Sequence, residues 1–275
     1  SQRSKTSMLK LLWAFLVRDF HEITSYRLSF LLDLGSIFFR AFTFFFVSQL
    51  LGDSVAPLLA AYNGDYFAFV IIGLAFGGYF STGMSGFAAA LRRAQTSGTL
   101  EAMIMTPAPL SQIIIGSAAW SYAFTTLRVF IYLALGVLVL GLRLTNVNLV
   151  GVLVSLLLAI IAFASIGIIA ASLIMVVKRG DPITGLFSNL SFLLGGVYYP
   201  LEILPTWLQP VAKLLPITYA LNAMRAAMLN GAGWAELGPD LLALGIFCVV
   251  LFPISLLIFR FAVERAREDG SLTHF

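Results

Sequence analysis

Charge is scarce in this chain. Only 11% of its 275 residues are Asp, Glu, Lys or Arg, against roughly 25% in soluble domains. Hydrophobic residues make up 60%, and the mean hydropathy is +0.95. A soluble domain of this size has too little interior to hide so much apolar surface, which excludes a water-soluble globule. Cysteine is nearly absent. The single Cys248 lies in an apolar run, so neither an intramolecular disulfide nor a thiolate metal cluster can form. There are two histidines; His21, the one with polar neighbours, reads as interfacial rather than as a ligand. No G-x-x-x-x-G-K-[ST] occurs, so the chain does not bind ATP in a phosphate-cradling loop. H-E-x-x-H, G-x-S-x-G and paired-Asp metal patterns are also missing, and nothing points to covalent chemistry. The net charge of +4 would suit nucleic acid, but its distribution fits membrane topology instead.

A membrane-crossing helix needs roughly 20 mostly apolar residues. Six segments qualify, at about 28–51, 65–90, 110–141, 149–177, 183–199 and 239–261. The fifth is short. Gly52-Asp53-Ser54 and Asn63-Gly64-Asp65 bracket one loop, Arg92–Pro109 is the longest polar interval, and Thr145-Asn146-Val147-Asn148 forms a tight turn. Lys178-Arg179-Gly180-Asp181-Pro182 stops one helix and starts the next. No internal repeat, low-complexity tract or separate signal peptide is read. Lys and Arg are unevenly shared between the two sides. Arg3, Lys5, Lys10, Arg18, Arg27, Arg92, Arg93, Lys178, Arg179, Arg260, Arg265 and Arg267 fall on one side, and Arg143, Lys213 and Arg225 on the other. The positive-inside rule then places both termini in the cytoplasm.

Between the last two spans lies GGVYYPLEILPTWLQPVAKLLPITYALNAMRAAMLNG, residues 195–231. It holds Pro200, Pro205, Pro210 and Pro216, four of the ten prolines, separated by apolar residues. It is too apolar for a wetted loop and too proline-rich for a spanning helix, since each proline removes a donor and clashes with the preceding turn. The expected compromise is a pair of short helices at about 200–230 dipping in from the outer side. Prolines would break them at the bends, and Tyr198, Tyr199, Trp207 and Tyr219 would sit at the interface. This stretch resembles the membrane subunits of ABC exporters of the type-2 permease family, where G-x-x-[FY]-[FY]-P…L-P…L-P-x-[TS]-Y…R precedes the last span. The matching residues are Gly196, Tyr198, Tyr199, Pro200, Leu204, Pro205, Leu215, Pro216, Thr218, Tyr219 and Arg225.

A second resemblance lies between spans two and three. The family's coupling helix carries R…G-T-L-E-x-L…[TS]-P. Arg92, Gly98, Thr99, Leu100, Glu101 and Pro107 match it, and Met103 replaces the usual leucine. Read from the residues alone, Ser97 or Thr99 caps a short helix over about 97–106. Glu101 lies near its positive end, and Pro107 and Pro109 terminate it. Leu100, Met103, Ile104 and Met105 then need a partner to cover them, or else lie back on lipid. Met8–Tyr26 reads as an amphipathic helix in the cytoplasmic interface plane, with Leu9, Leu12, Trp13, Leu16, Phe20 and Ile23 on one face. In the family such a helix also touches the ATPase; the plainer reading is an anchor.

Three charges fall within spans: Asp33, Arg40 and Arg128. Such groups are costly and usually face protein or water. Asp33 and Arg40 share a helix face, about two turns apart, too far to pair directly. Either Arg40 or Arg128 meets an anionic substrate group, or they bond between helices, to carbonyls or to Asp33. Glu202 stands at the outer mouth, as a gate residue or as a cap for the next helix. Gly73 and Gly77, continued by Gly78 and Gly83, suit close helix approach. The Phe38–Phe46 rings are assigned to lipid or neighbouring helices.

The sequence thus predicts an all-α membrane protein: an interfacial segment at 1–27, a six-helix transmembrane domain at 28–261 and a cytoplasmic tail at 262–275. The resemblance implies an export permease without its own ATP site, in the plasma membrane of a bacterium or archaeon. It implies a second copy and two ATP-binding subunits that carry ATP and Mg. It assigns coupling to residues 92–107 and to Lys178 and Arg179, and the outer gate to residues 198–219. The implied substrates are lipids, lipid-linked glycans or amphipathic drugs. A stand-alone channel or proton-coupled carrier is the alternative, but it would want titratable groups near mid-membrane, and only Asp33 is available. A lipid-modifying enzyme built on Asp33, Arg40, Arg128 and Glu202 would lack clustered acids, bases or metal ligands.

Overall fold

The computed structural model describes residues 27–62, 64–96, 110–144, 146–177 and 181–268. The interfacial segment before Arg27 and the coupling-helix residues 97–109 lie outside the described residues. Helix α1 spans Arg27–Leu51 and runs into a 3-10 helix over Gly52–Tyr62. Then come α2 (Tyr66–Thr96), α3 (Leu110–Leu138), α4 (Leu149–Val177), α5 (Asp181–Leu194), a 3-10 turn (Leu201–Ile203), α6 (Gln209–Ala212), α7 (Pro216–Leu229) and α8 (Trp234–Glu268). The described chain is all helical.

Five of these helices are long and apolar enough to cross a membrane: α1, α2, α3, α4 and α8. The fifth span expected from the sequence, 183–199, is helical only to Leu194. At 14 residues, α5 is roughly 21 Å long, short of the ~30 Å hydrocarbon core. It stops because Gly196 takes a left-handed backbone (φ 77°) and Pro200 follows. The last helix is longer at both ends than the 239–261 read from hydropathy.

Helix α2 is the centre. Its apolar window is 83% buried, against 11% for α1 and 17% for α8, so neighbours surround α2 while α1 and α8 present their sides to lipid or to another chain. Two hydroxyl pairs tie α2 to α3: Tyr79 with Thr126 at 2.7 Å and Thr82 with Thr125 at 2.6 Å. In an apolar medium such bonds substitute for the hydrophobic drive that lipid removes. Against α4, a Cβ on Gly167 would stand 1.8 Å from the Gly83 carbonyl oxygen. The glycine run in α2 therefore allows close helix approach at Gly83, as read from the sequence.

The helix starts are capped by the loop residues that the sequence marks. Asp65 accepts from the Ala68 N–H at 3.1 Å and caps α2. Asn148 does more. Its Oδ1 accepts from Gly151 N–H at 3.0 Å, capping α4, while its Nδ2 donates to the Ala232 carbonyl at 2.7 Å. Its backbone N–H donates to Ala227 at 2.9 Å. From the other loop, the Tyr62 hydroxyl reaches Asn222 Oδ1 at 3.2 Å. Loops 52–65 and 139–148 and the proline-rich segment thus gather at one end of the bundle, as alternating traversal requires.

Replacing Asn148 by alanine removes a cap and a clasp to the α7–α8 junction. A cap alone is worth about 1 kcal/mol. The expected result is a lowered thermal midpoint of the purified protein by intrinsic fluorescence, with the exposed neighbour Asn146→Ala close to wild type.

Candidate functional site: the proline-rich segment and its buried arginine

The segment between α5 and α8 follows from its prolines. Pro200 is extended (φ −64°, ψ 149°) and precedes the 3-10 turn. Pro210 lies in the first turn of α6 and Pro216 opens α7. At those positions the missing N–H costs nothing and the fixed φ suits the helix. The prolines therefore start helices rather than bend them. Two helices, α6 and α7, follow from them, but the pair is unequal. The first limb is a 3-10 turn and a four-residue helix, and only α7 is a helix of substance.

Helix α7 is no surface helix. Eleven of its 14 residues are buried, packed among α2, α4 and α8. Its first turn closes off α6. Thr218 Oγ1 donates to the Ala212 carbonyl at 2.7 Å and Tyr219 Oη to the Lys213 carbonyl at 2.8 Å. The Thr-Tyr pair after Pro216 thereby satisfies carbonyls that a helix end leaves free.

The main anchor is Arg225, 1% exposed. Its Nε donates to the Phe69 carbonyl at 3.0 Å, and its two terminal nitrogens donate to Gly196 at 2.8 Å and Val197 at 3.1 Å. The guanidinium carbon lies 3.4 Å from the centre of the Phe69 ring, which adds a cation–π contact. Among the described residues no carboxylate touches it. The charge is solvated by three carbonyl dipoles and a ring. One side chain thus bonds α7, the 196–197 turn and α2 together. The site also requires Gly73, where a Cβ would stand 2.4 Å from the Val197 oxygen and 2.5 Å from Arg225 Nη2. At Gly73 the glycine run makes room for this turn and guanidinium. Beside it, burial raises the Tyr62 phenol, against the pull of Arg225. Tyr62 therefore stays protonated and donates to Asn222.

The other outer-gate residues separate into two groups. Tyr198 is half-buried and turned toward the bundle. It stacks on Phe44 at 5.6 Å and lies 6.5 Å from Phe192. Tyr199 is half-buried and Pro200 and Pro216 are buried, while Glu202, Pro205 and Trp207 are exposed, Trp207 by 73%. Glu202 does not cap α6, whose N-cap is Leu208 without a side-chain bond. Tyr219 is half-buried, with its ring 6.0 Å from Phe247. Exposed Ile203, Trp207, Val211 and Leu214 give the 201–214 limb an apolar outer side.

Within the spans, Arg128 pairs with Asp33 across α3 and α1. The interhelical reading of these charges holds for that pair. Arg40, on α1, is exposed. Nothing is described of the side chains of Arg92, Lys178 and Arg179, or of Gly98, Thr99, Leu100, Glu101, Met103 and Pro107, so the coupling surface lies outside the described residues. Sequence reasoning noted Arg225 as a motif residue but gave it no role. The available signal was a lone cation in an otherwise uncharged 14-residue helix.

Removing Arg225 strands the two carbonyls of the 196–197 turn and takes a second donor from that of Phe69. Hydrogen bonds to a charged group are each worth about 1.5–3 kcal/mol. Arg225→Gln should lower the thermal midpoint sharply and open the 195–204 segment to protease. Gly73→Ala should do the same by steric means. Gly185→Ala, where a Cβ meets nothing within 4 Å, should remain close to wild type on both measures.

Comparison with known proteins agrees with this architecture. Residues 10–229 match the family described as ABC-2 type transporter. Among curated proteins, the chain is 27% identical over 220 residues to "Nodulation protein J" of Rhizobium meliloti (strain 1021), covering 76% of this chain and 80% of that protein. It is 30% identical over 179 residues to the protein of that name from Rhizobium leguminosarum bv. trifolii, covering 62% and 64%. It is 27% identical over 213 residues to that of Neorhizobium galegae, covering 76% and 80%. With the family match spanning most of the chain, and with apolar helices around a proline-jointed segment pinned by Arg225, this chain belongs to the ABC-2 type transporter family as a multi-pass membrane permease component.

Proposed function

We propose that this chain, with a second copy, forms the path of an ATP-binding-cassette exporter for an amphipathic substrate: a lipid, a lipid-linked glycan or a drug. Separate subunits bind ATP and Mg. The supporting observation is the family match over residues 10–229. The fold adds a core unit of α2, α4 and α7, with α1 at the margin. Sparse contacts let a helix tilt without breaking a packed core. The Lys/Arg bias puts both termini and the 92–107 loop in the cytoplasm, of a bacterium or archaeon on the family's likeness. The 195–233 segment is then outside. ATPase closure pushes on the 98–106 helix and on Lys178–Pro182, the spans tilt, and the path opens past Tyr198–Trp207.

Two measurements test this reading. Cysteine reporters at Asn63, Asn146 and Gly233 in a Cys248→Ala background should label from outside, and one at Thr96 only after permeabilisation. Outside labelling at Thr96 would reverse the orientation. In a complex reconstituted with its ATPase, Glu101→Arg and Leu100→Asp should abolish substrate-stimulated hydrolysis while the permease keeps its wild-type thermal midpoint. Wild-type coupling in both variants would reduce the loop to a simple connection.

A further inference from the structure

We propose that α1 is a strap: apolar packing clamps its C-terminal half to the bundle, one clasp, the Asp33–Arg128 ion pair, holds its N-terminal half to α3, and releasing that pair lets residues 27–36 swing while the rest of the bundle stays closed. What the swing serves, the tilting of a span during export, rests on the exporter reading. The clasp itself does not.

The covered face of α1 is a stripe that runs out toward the N-terminus. Ile37 and Ala41 are buried, and Leu34, Phe44 and Phe45 pack against the same core. The Phe45 ring meets Phe67 of α2 edge-on at 5.6 Å, and Phe44 stacks on Tyr198. Before Asp33, the described Leu28, Leu31 and Leu32 are all exposed. Helix α2 shows the same departure from its own side. Ser81 and Ser85 follow Phe67 by 14 and 18 residues, about four and five turns of a helix. They therefore lie on the face that meets α1 at Phe67, yet both are exposed on a helix that is otherwise largely covered. Helix α1 packs on α2 at one end and stands off it at the other.

The ion pair sits where the stripe ends. Asp33 precedes Ile37 by about one turn, so it lies on the covered face. Its carboxylate takes no bond from Ser36, whose hydroxyl donates to the Asp33 backbone carbonyl at 2.7 Å. Arg128 is the more firmly seated partner. Its Nε is buried, and its guanidinium lies 4.8 Å from the Phe124 ring centre on its own helix. The stem thus belongs to α3 and a terminal nitrogen reaches out to α1. Among the described side chains this is the one polar bond between α1 and α3. The two side chains are 41% and 32% exposed, and Asp33 lies roughly 9 Å from the start of α1 at 1.5 Å per residue. Water near the helix end reaches both, and half-exposed pairs hold weakly. Left unpaired against lipid, either charge is costly. Weak holding with a penalty for standing apart makes a reversible clasp.

The test is a pair of distances between nitroxide labels, read by pulsed electron double resonance on the full chain in nanodiscs. Labelled chain is diluted with unlabelled chain, so that distances within one copy are read. In a Cys248→Ala background, one pair is Leu31→Cys on α1 with Leu257→Cys on α8, and the other is Leu50→Cys with Leu242→Cys, near the opposite ends of the same helices; all four positions are exposed. With the ion pair intact both distances should be narrow. Asp33→Asn and Arg128→Gln should each spread the 31–257 distance while the 50–242 distance stays narrow and the thermal midpoint stays close to wild type. Asp33→Glu, which keeps the charge, should keep the 31–257 distance narrow. A 31–257 distance already spread with the pair intact, a result that needs no pair variant, overturns the proposal. So does a narrow distance in both neutral variants, an equal spread of the 50–242 distance, or a spread in Asp33→Glu matching that in Asp33→Asn. The exporter reading fails separately: a reconstituted complex that moves no amphiphile with ATP, yet shows the expected distances, would keep the clasp and discard its use in export.

Discussion

A guanidinium with no carboxylate beside it among the described residues ties the core of this membrane domain together. Arg225 is solvated by the carbonyls of Phe69, Gly196 and Val197 and by the Phe69 ring. Burying a charge is costly unless its hydrogen-bonding capacity is met, and here it is met by backbone from two other parts of the chain. The dependence runs both ways. The 196–197 turn leaves its carbonyls out of any helix, and inside a bilayer such carbonyls must find donors. Irregular backbone and lone cation each supply what the other lacks. A lysine would bring a single ammonium, not a planar fork able to serve three acceptors.

This tie explains why a proline-rich stretch can sit inside a membrane protein. The prolines open the 3-10 turn, α6 and α7, so the chain turns without leaving helix donors broken. Thr218 and Tyr219 close the end of α6. Helix α7 then packs among α2, α4 and α8, and Asn148 and Tyr62 fasten it from the two neighbouring loops. Helix α7, only 14 residues long, is tied by side-chain bonds to α2, to the 196–197 turn and to the 52–62 helix. The least covered is α1, a span with one half-exposed charge pair and the exposed Arg40. Stability concentrated in α2, α4 and α7 leaves the margin free to move, which suits the proposed tilting of the spans.

Much of this was legible in the residues. Apolar runs of spanning length located α1 to α4 and α8, with α2 and α8 running beyond the apolar run, because in lipid a helix is the structure that satisfies its own backbone. Asn63-Gly64-Asp65 and Thr145-Asn146-Val147-Asn148 marked the loops, and within them Asp65 and Asn148 cap α2 and α4. The proline spacing showed that 195–231 was neither loop nor span. What escaped the reading was non-local. Nothing in the order of residues says that Gly73 faces Val197, more than a hundred positions later, so its glycine read as an ordinary helix contact. Arg225 was counted among surface charges because its bias toward one side was visible and its three acceptors were not. The ring contacts of Tyr198 with Phe44 and Phe192 were likewise invisible in the order of residues. The Asp33–Arg128 pair was foreseen as one option, since two unlike charges inside an apolar bundle have few other partners.

The central claim is that the 216–229 helix is an interior element, held there by Arg225, rather than a surface helix resting at the membrane boundary. Hydrogen–deuterium exchange of the wild-type chain in nanodiscs reads this directly. The amides of 216–229 should exchange as slowly as those of Tyr66–Ala89, the central span, and far more slowly than those of 201–212. Exchange of 216–229 at the rate of 201–212 would mean that the helix opens independently of the core, and the account built on its buried arginine would be wrong.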